Sequence, residues 1–123
     1  MTEILYKELS YEVVGAAMEV HKVLGSAFVE PVYQKAYAHE LTLRGIPFEE
    51  QKLLAVHYKG QLVGEYRADF VIDNKIIIEI KAVSGLNEIH EAQAINYLAA
   101  TGLRLAILIN FGERSLKTKR IAK

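Results

Sequence analysis

Asp69, Glu79 and Lys81 are three charged residues inside a stretch that otherwise reads as interior β-structure, ADFVIDNKIIIEIKAV. On a strand, side chains two apart share a face, so Lys75, Ile77, Glu79 and Lys81 point one way and Ile76, Ile78 and Ile80 the other. The isoleucines can bury against helices, which leaves Glu79 and Lys81 together on the opposite face. An uncompensated charge beside such a core costs on the order of several kcal/mol. Two facing carboxylates would also repel each other. A divalent cation resolves both problems, and magnesium suits one or two carboxylates because it keeps much of its water. Lys81 could then orient or activate a water, or stabilise charge developing on a phosphate. The plainer alternative is an ion-pair cluster on a partly exposed sheet face, which would contribute little.

Whether Asp69 joins Glu79 depends on one turn. A two-residue loop of Asp73 and Asn74 would set Asp69 against Ile78, on the wrong face. A three-residue loop, Asp73 to Lys75, or a β-bulge, would set Asp69 opposite Glu79.

The surrounding elements follow from periodicity and punctuation. Ser10 reads as the N-cap of a helix through YEVVGAAMEVHKVLG, whose Val13, Val14, Ala17, Val20 and Leu24 recur at helical spacing before Gly25 stops it. Glu30-Pro31 opens a second helix that runs to Gly45, with Tyr33, Ala36, Tyr37, Leu41 and Leu43 as its apolar side. LLAVHY and QLVGEYRADFVI flank the hairpin signal Lys59-Gly60, and KIIIEIKAV follows as a third antiparallel strand. Asn87 can cap a helix, NEIHEAQAINYLAA, that stops at Thr101-Gly102 and leads to the apolar strand LRLAILINF. A helical crossover makes the third and fourth strands parallel neighbours. The expected fold class is α/β, in the order ααβββαβ: a mixed four-stranded sheet flanked by helices, with the basic tail KTKRIAK as an optional fifth strand.

The chain has 123 residues, half of them hydrophobic, and reads as one domain over 1–123. Fifteen basic and fifteen acidic residues cancel, so no global field attracts a polyanion and any such binding needs a local patch. Without cysteine there are no disulfides, thiolate zinc sites or iron–sulfur clusters. The first ten residues carry Glu3, Lys7 and Glu8 and lack the apolar core of a signal peptide. No run approaches the roughly 18 apolar residues of a membrane span. A cytoplasmic location, with no membrane partner, is expected.

Asp69 followed by Glu79-Ile80-Lys81 resembles the signature of the PD-(D/E)XK nuclease superfamily, with alanine in place of the proline before the aspartate. The expected order of elements matches that superfamily's restriction-endonuclease-like core. EPVYQKAYAHELTLRGIPFEEQ, YKGQLVGEYRADFVIDNKIIIEIKAV and HEAQAINYLAATGLRLAILINFG together resemble the small bacterial GxxExxR family, over roughly residues 10 to 121. Glu30 matches the glutamate of that name, while Ala27 and Tyr33 depart from its glycine and arginine. The resemblance implies a metal site of Asp69, Glu79 and Glu30, with Glu40 as substitute should Glu30 face away. Glu30 also has a simpler use in its first helical turn, complementing the helix dipole. Gln93-Ala94-Ile95-Asn96-Tyr97 resembles the Gln-x-x-x-Tyr element of the superfamily's exonuclease branches. It implies that Gln93 positions the attacking water and that Tyr97 packs beneath it.

On these grounds the expected activity is metal-dependent hydrolysis of phosphodiester bonds in DNA, or else RNA, with Mg2+ or Mn2+ as cofactor. Asp69, Glu79, Lys81 and Gln93 would be the catalytic set. Arg67, His90 and Tyr97 would contact nucleic acid, with further phosphate contacts from Lys117, Lys119 and Arg120. A homodimer through the edge or face of LAILINF is a further expectation. The rival is a catalytically inactive module of the same fold that binds nucleic acid or protein.

Overall fold

The computed structural model describes residues 4–123. Glu3, part of the case against a signal peptide, lies outside the described residues. Two helices come first, α1 (Lys7–Leu24) and α2 (Glu30–Leu43). Strands β1 (Phe48–Tyr58), β2 (Gln61–Ile72) and β3 (Ile76–Lys81) follow, then α3 (Glu88–Thr101), β4 (Leu105–Asn110) and β5 (Lys117–Ala122). The five strands form one sheet in the order β1-β2-β3-β4-β5. β3 and β4 are parallel, joined by the α3 crossover, and every other neighbouring pair is antiparallel. Among the described residues no helix is long and apolar enough to cross a membrane.

The sheet is covered on both faces. Ile76, Ile78 and Ile80 bury against α1 and α2 together with Phe70, Ile107 and Ile109. On the other face Ile77, Ala106 and Leu108 bury under Ala94, Tyr97 and Leu98 of α3. Glu79 therefore points toward a helix rather than toward solvent. Hydrophobic residues on both sides explain why β3 and β4 read as unbroken apolar runs instead of alternating ones.

Three expectations need correction. Ser10 does not cap α1; the N-cap is Tyr6, and Ser10 lies inside the helix, buried, with its hydroxyl accepting from Arg120 Nη1 at 2.8 Å. The helix gains its extra turn because Leu5 and Leu9 pack onto the core and reward the continuation. Leu43, assigned to the apolar side of α2, is exposed. β4 cannot serve a dimer as edge or face, because it lies between β3 and β5 and all six of its residues are buried. The tail supplies the outer strand instead.

Asn87 caps α3 as its residue type suggests, and the cap is reciprocal: Asn87 Oδ1 accepts from His90 N, and His90 Nδ1 accepts from Asn87 N. At the far end of β4, Gly112 is required by space. A Cβ there would lie 2.4 Å from the Val83 carbonyl oxygen. That contact presses the end of β4 against the link from β3 to α3, next to the charged residues.

Candidate active site

The turn after β2 contains three residues, Asp73, Asn74 and Lys75, because Ile72 pairs with Ile76. Asp73 and Asn74 both adopt positive φ, of 50° and 55°, which short polar side chains tolerate better than others. This register brings Asp69 level with Glu79. The backbone ladder between β2 and β3 ends at Phe70 and Ile78, and side chains take over where the strands part. Asp69 N donates to Glu79 Oε2 at 3.3 Å, and Ile80 N donates to Asp69 Oδ2 at 2.8 Å. The two carboxylates thus occupy the opening between the strands, each bonded to the other's strand.

Glu79 is 3% exposed, and its Oε1 is a buried atom with no hydrogen-bond partner. Burial is the main reason its carboxyl is pushed up to about 9, with the adjacent Asp69 adding to the rise and Lys81 opposing it. At neutral pH it therefore carries a proton unless a positive charge arrives. Glu30, the first residue of α2, is raised too, by burial first and then by the charge of Asp69. The charge of Lys81 and a hydrogen bond from Gln34 oppose the rise without cancelling it. Between Glu30 and Asp69 sits Gln34, whose Nε2 donates to Glu30 Oε1 at 3.3 Å and to Asp69 Oδ1 at 3.1 Å. Gln51 of β1 donates to Asp69 Oδ1 as well, at 3.3 Å, and to Gln34 Oε1 at 3.0 Å.

Lys81 ends β3, half-buried, and its Nζ donates to Gln93 Oε1 at 3.4 Å. Among the described residues it forms no ion pair with Asp69 or Glu79; the salt bridges are Arg44–Glu40, Lys52–Glu49, Lys75–Asp73 and Lys119–Glu91. Its charge still lowers the carboxyls of Glu30 and Glu79. Gln93 and Tyr97 lie on one face of α3, as residues four apart must. Tyr97 is buried against Tyr66, with ring centroids 5.8 Å apart, and its hydroxyl is pushed up to about 12, chiefly by burial and then by Glu79 and Asp69.

The other candidate residues are placed less centrally. Arg67 is exposed on β2 and donates to Gln51 O at 3.2 Å. His90 commits Nδ1 to the α3 cap, and burial followed by the charge of Lys81 lowers its pKa. Glu40 is paired with Arg44 at 2.7 Å and is no substitute for Glu30. Of the tail residues, Arg120 faces α1, bonded to Ser10 Oγ and Leu5 O, and is not turned toward the carboxylates. Tyr33, where the naming arginine would fall, is fully buried and stacked on Phe111 with centroids 4.6 Å apart.

The donor set suits a hard divalent cation. Two carboxylates converge, one of them with a bare buried oxygen, and no thiolate or histidine competes for a softer metal. Among the described residues no group of three or more His, Cys, Asp or Glu side chains is placed to hold a metal ion, so a cation here would rest on the Asp69–Glu79 pair and on water. A groove of about 1040 Å³ runs along α1 past Tyr11, Met18, Arg44 and Arg120, and none of Asp69, Glu79 and Glu30 lines it.

Residues 7–121 match the family model of the PD-(D/E)XK nuclease superfamily. The chain belongs to that superfamily. Solved structures resemble this PD-(D/E)XK chain in fold. One, SSO0001, superposes with a TM-score of 0.60 at 24% identity, covering 95% of this chain and 62% of that one. Another, an alkaline exonuclease from Laribacter hongkongensis, gives a TM-score of 0.56 at 14% identity, covering all of this chain and 72% of its own. These likenesses show the fold, a restriction-endonuclease-like core. This chain spans about six-tenths of the length of SSO0001, 62%. No curated protein matches the sequence. Family and fold together make this a nuclease-like domain.

Sequence reasoning missed Gln34 and Gln51. Gln34 could have been found, because it lies one helical turn after Glu30 and so on the same face. Nothing in the spacing of Gln51 points to Asp69.

Proposed function

We propose that this domain hydrolyses phosphodiester bonds in DNA, or else in RNA, with Asp69 and Glu79 holding Mg2+ or Mn2+ and Glu30 completing the acidic group. The observation that carries the reading is the partnerless, buried Oε1 of Glu79 level with Asp69. A buried carboxyl kept with one oxygen unbonded is destabilising, and a cation is the ligand that would relieve it. A divalent ion bound there would supply positive charge for the phosphate and a more acidic water. The protein's own contribution is positional. Ile80 N fixes Asp69 through Oδ2, and Asp69 N fixes Glu79 through Oε2. Gln93 holds the ammonium of Lys81 near the group without neutralising it, so Lys81 can donate to a water or to a phosphate oxygen. Tyr97 walls the site against Tyr66. Arg67 and His90 are the candidates for contacts along a nucleic-acid backbone.

Within the superfamily we place the chain with the GxxExxR proteins on Glu30, although Ala27 and Tyr33 depart from the pattern. Net charge is zero, so binding to nucleic acid should be weak and salt-dependent. A homodimer would enlarge the footprint, through a surface other than β4. We also propose a cytoplasmic location. The alternative of an inactive module predicts a closed Lys81–Glu79–Asp69 cluster, and the missing ion pair weighs against it.

The test is a Mg2+- or Mn2+-dependent cleavage assay on double-stranded DNA, single-stranded DNA and RNA, run beside Glu79→Ala and Lys81→Ala. Cleavage by the wild type that both variants lose is expected. Equal cleavage by all three proteins would remove these residues from the site. No cleavage of any substrate, with no metal binding by calorimetry, would favour the inactive module.

A further inference from the structure

Gln51 breaks the strand geometry of β1. Its φ is 49°, in the left-handed region, although it carries a full side chain. A non-glycine residue held there inside a strand is strained, and such strain persists only where the surroundings enforce it. The kink has a consequence in side-chain contacts. Gln51 Nε2 reaches both Gln34 Oε1 and Asp69 Oδ1, while Gln34 Nε2 reaches Asp69 Oδ1 and Glu30 Oε1. Carboxylates accept only, so both amides must present their NH2 groups to the acids, and the order Gln51 to Gln34 to the carboxylates has a single sense. The carboxylate of Asp69 offers about four lone-pair positions, two on each oxygen. The glutamines occupy those of Oδ1, and Ile80 N takes one on Oδ2. The remaining position is on Oδ2, the oxygen held to β3 by Ile80 N, in the residue whose backbone N bonds Glu79 Oε2.

We propose that Gln34 and Gln51 are positioning residues: their linked amides hold Asp69 by Oδ1, leave Oδ2 for a cation shared with Glu79, and keep Glu30 beside Asp69 despite their like charge. This rests on the metal-site reading of the preceding section. It also accounts for the strain at Gln51, whose amide reaches Asp69 from a kinked edge of the sheet.

The strain and the amide act in opposite directions, which makes the proposal testable. Gln51→Gly removes the amide and is at ease at positive φ. Its melting temperature should be unchanged or higher by about 2–5 °C. Its affinity for Mn2+, measured by calorimetry, should fall about tenfold or more, the usual consequence of removing a group that orients a metal ligand. Gln34→Ala should weaken Mn2+ binding similarly. Gln51→Asn, which tolerates the backbone but is shorter by a methylene, should not restore it. In the metal-free protein the carboxyl 13C resonances of Asp69 and Glu30 should shift in Gln51→Gly and in Gln34→Ala. Unchanged Mn2+ affinity in Gln51→Gly together with unmoved resonances would overturn the proposal. A lower melting temperature with unchanged Mn2+ affinity would also overturn it, by assigning the pair to architecture alone. A wild type that binds no Mn2+, but whose resonances still move on substitution, would retire the metal reading and support the positioning.

Discussion

Asn110 on β4 and Glu79 on β3 lie two rungs apart in one parallel pair, since Lys81 is the partner of Asn110 and Leu108 that of Glu79. Both are buried polar residues in a sheet of isoleucines and leucines. Asn110 uses every hydrogen-bonding position it has. Its Oδ1 accepts from Val83 N at 3.0 Å and Gly112 N at 3.1 Å, and its Nδ2 donates to Val83 O and Glu113 Oε2, both at 2.9 Å. Glu79 has one long bond on Oε2 and nothing on Oε1. A fully bonded buried group fixes geometry, here the link between β3 and α3 that places Lys81 and Gln93. A buried group left short of partners is a standing cost, tolerated where something else is to be bound. The same strand pair thus carries a latch and a vacancy in bonding, two rungs apart.

Asn110→Ala should show the largest effect. It strands the N–H and C=O of Val83 and the N–H of Gly112, at about 4 kcal/mol in all. The melting temperature should drop by roughly 15 °C, and a change under about 0.5 kcal/mol in urea denaturation would dissolve the contrast with Glu79. Glu79→Gln should behave oppositely. We expect cleavage to fall by about 10²–10³ while stability at pH 8 rises by about 1–2 kcal/mol, because an amide needs no proton to be neutral.

The pH dependence has the same origin. The folded protein holds a proton on Glu79 that the unfolded chain releases near 4.5, so stability falls as pH climbs from there to about 9 and levels off above it. Glu79→Gln should flatten that slope in denaturation curves recorded across the range. Lys81→Met is the next smaller effect. It should lower cleavage about 10²-fold with stability within about 0.5 kcal/mol of the wild type. Gln93→Ala should matter least, costing a few tenths of a kcal/mol of stability and several-fold in rate, since its bond to Lys81 is long and half-exposed.

The layered fold and the acidic pair were legible in sequence because both depend on local rules. Strand alternation placed Glu79 and Lys81 on one face, Asn87 and Gly102 bounded α3, and the turn question reduced to a loop whose three residues the register then displayed. What was illegible depends on distant packing. Ser10 offered a cap by type, but Leu5 and Leu9 extend the helix past it. Glu79 looked half-open because nothing local says that α3 covers that face. Gln51 joins the site through a β1–β2 register that sets it level with Asp69 and a positive φ that its residue type disfavours. Arg120 looked like a phosphate contact by charge, yet its strand edge hands it to α1.

The central claim is that Asp69 and Glu79 together bind a divalent cation. Calorimetric titration of Mn2+ into the wild type and Glu79→Gln, at several pH values between 6 and about 9, tests it most directly. Binding must displace the proton held by Glu79, so wild-type affinity should rise with pH toward about 9. Glu79→Gln should bind at least about tenfold more weakly, with little dependence on pH over the same range. Absence of Mn2+ binding by the wild type, or equal affinity in the two proteins, would contradict the account.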